Sequence, residues 1–278
     1  MGGILYFMVN FKEIFELKTK KTFILGGLGL IGKSLVQGLS EAGSEVLILD
    51  QDINRKEKFL SEGSFPSKVS FEFFDCSDLE NIEENMEKLI SANFCPDIFI
   101  NCSYPRTKDF SLNSYKEIEL SSLRKNVDIH LNSYAWTAIS IANRMVESSI
   151  KGSIIQFSSI YGLVGQDLSI YENTEMKENA SYSIIKGGIN NLTRSMGSYY
   201  GKKGLRINSI CPGAIEGHVV GKASKQNKEF VENFSKKVPI GRLAKAHEIV
   251  GPVLFLASEA SSYVTGSILV VDGGWTAI

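Results

Sequence analysis

The serine pair Ser158-Ser159, followed later by Tyr182-Ser183-Ile184-Ile185-Lys186, brings a hydroxyl, a phenol and an ammonium into one stretch of chain. Such groups can take a proton from an alcohol or return it to a ketone. An unperturbed phenol titrates near pH ~10, too high for an efficient base at neutral pH, and a neighbouring ammonium lowers that value by favouring phenolate. Lys186 is placed to supply that charge, and Ser159 to orient the substrate oxygen. Tyr-x-x-x-Lys is weak alone, because the chain also holds Tyr104/Lys108 and Tyr199/Lys203. Pro105 disfavours a helical Tyr104, and Tyr199/Lys203 runs into Gly201 and Gly204 at a helix end. Tyr182/Lys186 lies near the start of a long helical pattern, where the two side chains share a face one turn apart.

A second device lies near the start of the chain, where Gly26, Gly29 and Gly32 stand three residues apart between an apolar run and a helical pattern that opens with Leu30 and Ile31. Glycines there allow a tight turn, and backbone N–H groups at a helix start suit a pyrophosphate. The same spacing also fits an ordinary glycine-rich turn. Asp50 tips the balance: it ends the next apolar run, where a carboxylate accepts hydrogen bonds from the adenosine ribose and repels a 2′-phosphate. Leu28 brings no cation into the turn. NAD is therefore expected over NADP, and hydride transfer at a carbinol carbon becomes the chemistry that joins the two devices.

The elements that must position these residues alternate. Apolar runs at Thr22–Leu25, Glu45–Leu49, Ser70–Phe74, Ile98–Ile100, Ser153–Phe157, Arg206–Ile210 and Ser267–Val271 are separated by helix-like segments, notably 30–42, 120–147 and 181–200. This predicts an α/β fold with one Rossmann-type, doubly wound parallel sheet of about seven strands, helices on both faces, over 21–278. Ligands in such sheets bind beyond the carboxyl ends of the strands, where Asp50, Asp75, Asn101, Ser159 and Pro212-Gly213 all fall. Residues 1–20 read as an added arm with a short amphipathic helix through Phe11, Ile14, Phe15 and Leu17, and Met8 as an alternative start. A formal net charge of −1 gives no general attraction to nucleic acid or anionic membrane. Four cysteines without metal spacing read as free thiols of a cytoplasmic protein. No apolar run reaches a membrane span, and no metal site is expected.

Those motifs resemble the short-chain dehydrogenase/reductase family over roughly residues 20–278. The stretch Gly204–Ile215 is similar to its strand and Pro-Gly turn beside the nicotinamide, and Phe255–Ser258, Tyr263–Gly266 and Val271–Trp275 are similar to the tail of its single-domain members. The resemblance implies Ser159 as the substrate-orienting serine, Tyr182 as acid/base and Lys186 as its partner, which also reaches the nicotinamide ribose. It implies Asp75 and Cys76 at the adenine, Asn101, Cys102 and Ser103 in the turn after the fourth strand, and Pro212, Gly213 and Ile215 beside the carboxamide. A homodimer or homotetramer is implied too.

The departures carry information. The glycine spacing matches the extended, sugar-nucleotide-using branch, and Gly217 stands where a threonine often holds the carboxamide. Asn101-Cys102-Ser103-Tyr104 replaces Asn-Asn-Ala-Gly. Where the family's relay asparagine falls, this chain has His130, either a proton relay or a packed helix residue, with Asn132 as a neighbouring alternative. The stretch Tyr161–Ser181 is longer than family members usually carry and is expected to shape the substrate pocket. Together with Ser-Ser-Ile-Tyr-Gly it resembles oxidoreductases of surface-polysaccharide and flagellin-sugar modification, implying a polar, sugar-like small-molecule substrate. An NAD-retaining epimerase or dehydratase and a non-catalytic NAD-binding regulator are the competing readings.

Overall fold

The computed structural model describes residues 10–217 and 226–278. Met8 and the start of the arm lie outside the described residues. Seven strands form one parallel sheet: β1 (Lys21–Leu25), β2 (Glu45–Asp50), β3 (Val69–Phe73), β4 (Ile98–Asn101), β5 (Ser153–Phe157), β6 (Arg206–Pro212) and β7 (Ile268–Val271), in the order 3-2-1-4-5-6-7. The central strands are buried on both faces, which is why they read as continuous apolar runs rather than as an alternation. The third strand begins and ends one residue earlier than expected, and β6 runs on to Pro212.

Helices α1 (Leu30–Glu41), α2 (Ile53–Glu62), α3 (Ile82–Ala92), α4 (Leu120–Asn126), α5 (Ser133–Glu147), α6 (Ala180–Gly201), α7 (Lys228–Lys237) and α8 (Val250–Ala257) connect the strands. Two cores result. One holds Leu25, Leu49 and Phe99 under Met86, Ile141 and Met196 of α3, α5 and α6. The other holds Ile24, Ile48 and Ile100 under Leu35, Val36 and Val253 of α1 and α8. The strand order reverses between β1 and β4, and a crevice at such a reversal is where an open parallel sheet receives a ligand.

Two differences from the sequence reading matter. The helix expected over 120–147 is broken by a π-helical turn at Val127–Asn132, which carries His130. The arm is no amphipathic helix in its described part: Glu13–Phe15 forms a single 3₁₀ turn, Phe11 is exposed and Leu17 is fully buried in the α1/α8 core. Leu17 is thus part of the core, not of a loose extension.

Candidate active site

The glycine turn follows directly from β1. Gly26 has φ +82°, and a Cβ there would sit 2.7 Å from the main chain of Ser103. A Cβ on Gly32 would meet the Gly26 carbonyl oxygen at 2.3 Å. Gly29 has extended backbone and serves as the N-cap of α1 without any side-chain cap. The first-turn N–H groups of α1, from Leu30 and Ile31 onward, therefore lack intrahelical acceptors and face the turn. This glycine cradle and uncapped helix start fit a pyrophosphate.

Asp50 ends β2 with its carboxylate already engaged. Oδ2 accepts from the Leu28 N–H at 3.0 Å and Oδ1 from the Asp52 N–H at 3.0 Å. Leu28 itself is buried in the core. The nearby cations are turned to other work: Arg55 pairs with Asp52, and Lys56 lies over the Phe71 ring.

The turn after β4 is held by Asn101, which is fully buried. Its Oδ1 accepts from the Ser103 N–H and hydroxyl at 3.2 and 2.7 Å, and its Nδ2 reaches Thr137 Oγ1 at 3.4 Å. Cys102 donates its N–H and thiol to the Leu25 carbonyl, and burial pushes the thiol up to about 12. Asp75 lies two residues beyond β3, accepts from the Ser77 N–H and hydroxyl, and borders a surface cleft of about 320 Å³. Cys76 points its side chain into the core beside Leu25 and Leu49.

On the other side, β5 and α6 bring the chemistry together. Ser158 donates to the Lys186 carbonyl at 2.8 Å, which ties the end of β5 to α6. Ser159 is buried, accepts from the Tyr161 N–H at 3.2 Å and places its hydroxyl beside the Tyr182 phenol. Asn179 caps α6 by accepting from the Tyr182 N–H at 2.9 Å. Lys186 is 2 % exposed and donates Nζ to the Phe157 carbonyl at 3.0 Å. The same nitrogen is 3.4 Å from His130 Nε2. Asn132 instead points to Asp128 at the surface. The π turn thus settles which of the two faces Lys186.

The electrostatics differ from the simple expectation. Burial raises the Tyr182 phenol above its ordinary value, and the Ser159 hydroxyl offsets this in part. Burial likewise pushes Lys186 down to about 7, so it is no fixed ammonium at neutral pH. His130 is held well below its usual value by burial first and by Lys186 second, and its imidazole is neutral.

Pro212 ends β6, and the Gly213 N–H donates to the Val271 carbonyl at 3.0 Å. Ile215 bridges to Ala244 and its carbonyl accepts from Gln226, whose Oε1 accepts from the Gly217 N–H. Gly217 faces the Leu30 side chain.

Phe110 and Gln166 carry no signal of their own in the sequence, and Tyr104 and Tyr161 stand out there only as members of an altered turn and of the long stretch before Tyr182. The rings of Tyr104, Phe110 and Tyr161 stand 6.1, 6.4 and 6.4 Å from the Tyr182 ring, all edge-on. Tyr104 also packs 5.2 Å from the His130 ring. Gln166 fastens the long stretch before α6 by donating to the Asn179 carbonyl and the Ser183 hydroxyl, while accepting from the Asn179 N–H and the Tyr171 hydroxyl. They lie far apart in the chain and at no helical or strand spacing.

A parallel sheet with a glycine cradle at the β1/β4 reversal and a Ser/Tyr/Lys set at the next strand end defines a nicotinamide-dependent oxidoreductase of Rossmann type. A family model described as enoyl-(acyl carrier protein) reductase matches residues 29–276, and the chain belongs to this family, within the short-chain dehydrogenases/reductases. It is similar to post-translational flagellin modification protein A of Campylobacter coli, 28% identical over 261 residues covering 93% of this chain and 99% of that one. It is also similar to gluconate 5-dehydrogenase of Gluconobacter oxydans, 25% identical over 272 residues covering 95% and 97%. Among solved structures, a short-chain dehydrogenase from Leptospira borgpetersenii with bound NAD+ matches with a TM-score of 0.79 at 28% identity, covering 99% of both chains.

Proposed function

We propose that this protein transfers hydride between NAD(H) and a secondary alcohol or ketone on a polar, sugar-like substrate, with Tyr182 as the acid/base. The observation that carries the proposal is the convergence of Ser159, Tyr182, Lys186 and His130 within one hydrogen-bonded and ring-packed group. The similarity to a gluconate dehydrogenase supports a polyol-like substrate. NAD is favoured over NADP because Asp50 ends β2 and no cation enters the glycine turn.

Held at the glycine turn, the cofactor supplies the hydride acceptor or donor. In the direction of ketone reduction, the Tyr182 phenol donates its proton to the carbonyl oxygen while Ser159 steadies that oxygen by hydrogen bonding. The raised phenol suits this donor role, since it keeps the proton on Tyr182 at neutral pH. Lys186 holds or releases a proton near neutrality, and His130 Nε2 is the next polar group along the line at 3.4 Å. Asp50, Gly26, Gly29, Leu30, Ile31, Asp75, Cys76, Asn101, Cys102, Ser103, Pro212, Gly213 and Ile215 hold the dinucleotide in this reading.

The proposal extends to a cytoplasmic homodimer or homotetramer; the four cysteines are free thiols, as a reducing compartment keeps them. No helix among the described residues is long and apolar enough to cross a membrane. Initial rates with NAD+ and with NADP+ on gluconate, arabinitol and cyclohexanol test the reading. Reduction of NAD+ in preference to NADP+ by at least one of these supports it, and reduction of neither cofactor by any of them counts against it.

A further inference from the structure

Tyr161 occupies an unusual position. It sits on the 3₁₀ turn Ile160–Gly162 that leaves β5 directly after Ser159, and its N–H is bound by the Ser159 hydroxyl. The turn cannot drift from the site, because Gly162 lies flush against α6: a Cβ there would stand 2.6 Å from the Lys186 carbonyl carbon and oxygen. On its other side the ring packs against the cluster of Ile160, Ile170, Phe234 and Trp275. The Tyr161 ring stands edge-on to the Tyr182 ring at 77°. Backbone and ring are thus both fixed by the elements that hold Ser159 and Tyr182.

The hydroxyl is what lacks a role. It is buried and has no hydrogen-bond partner. The Tyr171 hydroxyl beside it donates its own proton to Gln166 Oε1 at 3.2 Å, and its geometry toward the Tyr161 hydroxyl makes no hydrogen bond. A buried hydroxyl left unpaired carries a desolvation cost, and a native structure keeps one where something else will pair with it. The Tyr161 ring stands 6.4 Å from that of the acid/base Tyr182, and its phenol is raised far above the ordinary value by burial. It is therefore a hydrogen-bonding group and not a second base.

We propose that the Tyr161 hydroxyl recognises a second oxygen of the substrate close to the reacting carbon, so that the enzyme selects a diol or polyol over an isolated secondary alcohol. This inference rests on the dehydrogenase reading and names its substrate class. A site built to bond a substrate hydroxyl discriminates strongly against an analogue that lacks it, because its own polar group is then left unpaired.

The test compares cyclohexanol with cis-1,2-cyclohexanediol on the full chain loaded with NADH, read by NMR titration, and then with NAD+ for turnover. The wild type binds the diol more tightly than cyclohexanol. Tyr161→Phe loses on the order of 10- to 100-fold of the diol affinity, as expected for one buried hydrogen bond, and leaves cyclohexanol affinity within about twofold. Its melting temperature is unchanged or higher, since an unpaired buried group has been removed. Equal loss for both probes, no loss for the diol, or no diol preference in the wild type overturns the inference. If the diol preference is present and lost in the variant while neither probe is oxidised by the wild type, the inference stands and the hydride-transfer reading falls.

Discussion

Lys186→Met is the perturbation that most sharply tests the electrostatics of this site. The folded protein holds the amine at about 7, with burial as the main cause, against an unfolded value of about 10.4. Between pH 7 and 9 the unfolded chain keeps a proton at this position that the folded chain has released. Stability then rises with pH, approaching about 1.4 kcal/mol per pH unit above pH 8, or about 2 kcal/mol across that window. Below pH 7 both states are protonated and the contribution is flat. The side chain is 2 % exposed, so solvent screening takes little from this figure. The flanking thiols of Cys102 and Cys211 are both pushed up by burial, Cys102 to about 12. Methionine keeps most of the stem and loses the bond to the Phe157 carbonyl, a pH-independent cost of about 1 kcal/mol. Urea denaturation of both proteins at pH 6, 7, 8 and 9 isolates the group. The expected wild-type advantage over the variant is smallest at pH 6 and grows by about 2 kcal/mol from pH 7 to 9. Parallel stability curves would refute the reasoning.

Two further outcomes follow from the same geometry. In Asp50→Asn the amide oxygen still accepts from Leu28 while the repulsion toward a 2′-phosphate is gone, so the NADP+/NAD+ ratio of kcat/KM rises by at least about tenfold in initial-rate assays. His130 stays neutral in the folded protein while the unfolded chain takes up its proton below pH ~6.5, so the wild type loses stability as pH falls through 6.5 toward 5. His130→Gln removes that loss, seen as a flatter dependence of melting temperature on pH; an unchanged slope speaks against a buried neutral imidazole.

Much of the fold was legible because central parallel strands announce themselves as unbroken apolar runs, and because Asp50, Asn101 and Ser159 mark strand ends. The Tyr182/Lys186 pairing was legible from its place at the start of a long helix. The choice between His130 and Asn132 was not. An α-helical count assumes 3.6 residues per turn, and the π turn at Val127–Asn132 changes that spacing where it matters. Cys76 lies just beyond β3, but only packing reveals that its side chain goes to the core. The ring group of Tyr104, Phe110 and Tyr161, and the Gln166 clamp, arise from long-range contacts that have no periodic trace in sequence. The effect of burial on Tyr182 and Lys186 is hidden for a related reason: proximity is visible in the sequence, whereas burial, the larger influence on both groups in this structure, is not.

The central claim is that Tyr182 serves hydride transfer at a carbinol carbon. The most direct measurement incubates wild type and Tyr182→Phe with NAD+ and a polyol substrate deuterated at its secondary carbinol carbons, with mass spectrometry of the cofactor. The account predicts one deuterium in the reduced cofactor with the wild type, and none above background with the variant, which still binds NAD+ and melts within a few degrees of the wild type. Deuterium transfer by the variant at the wild-type rate would contradict it.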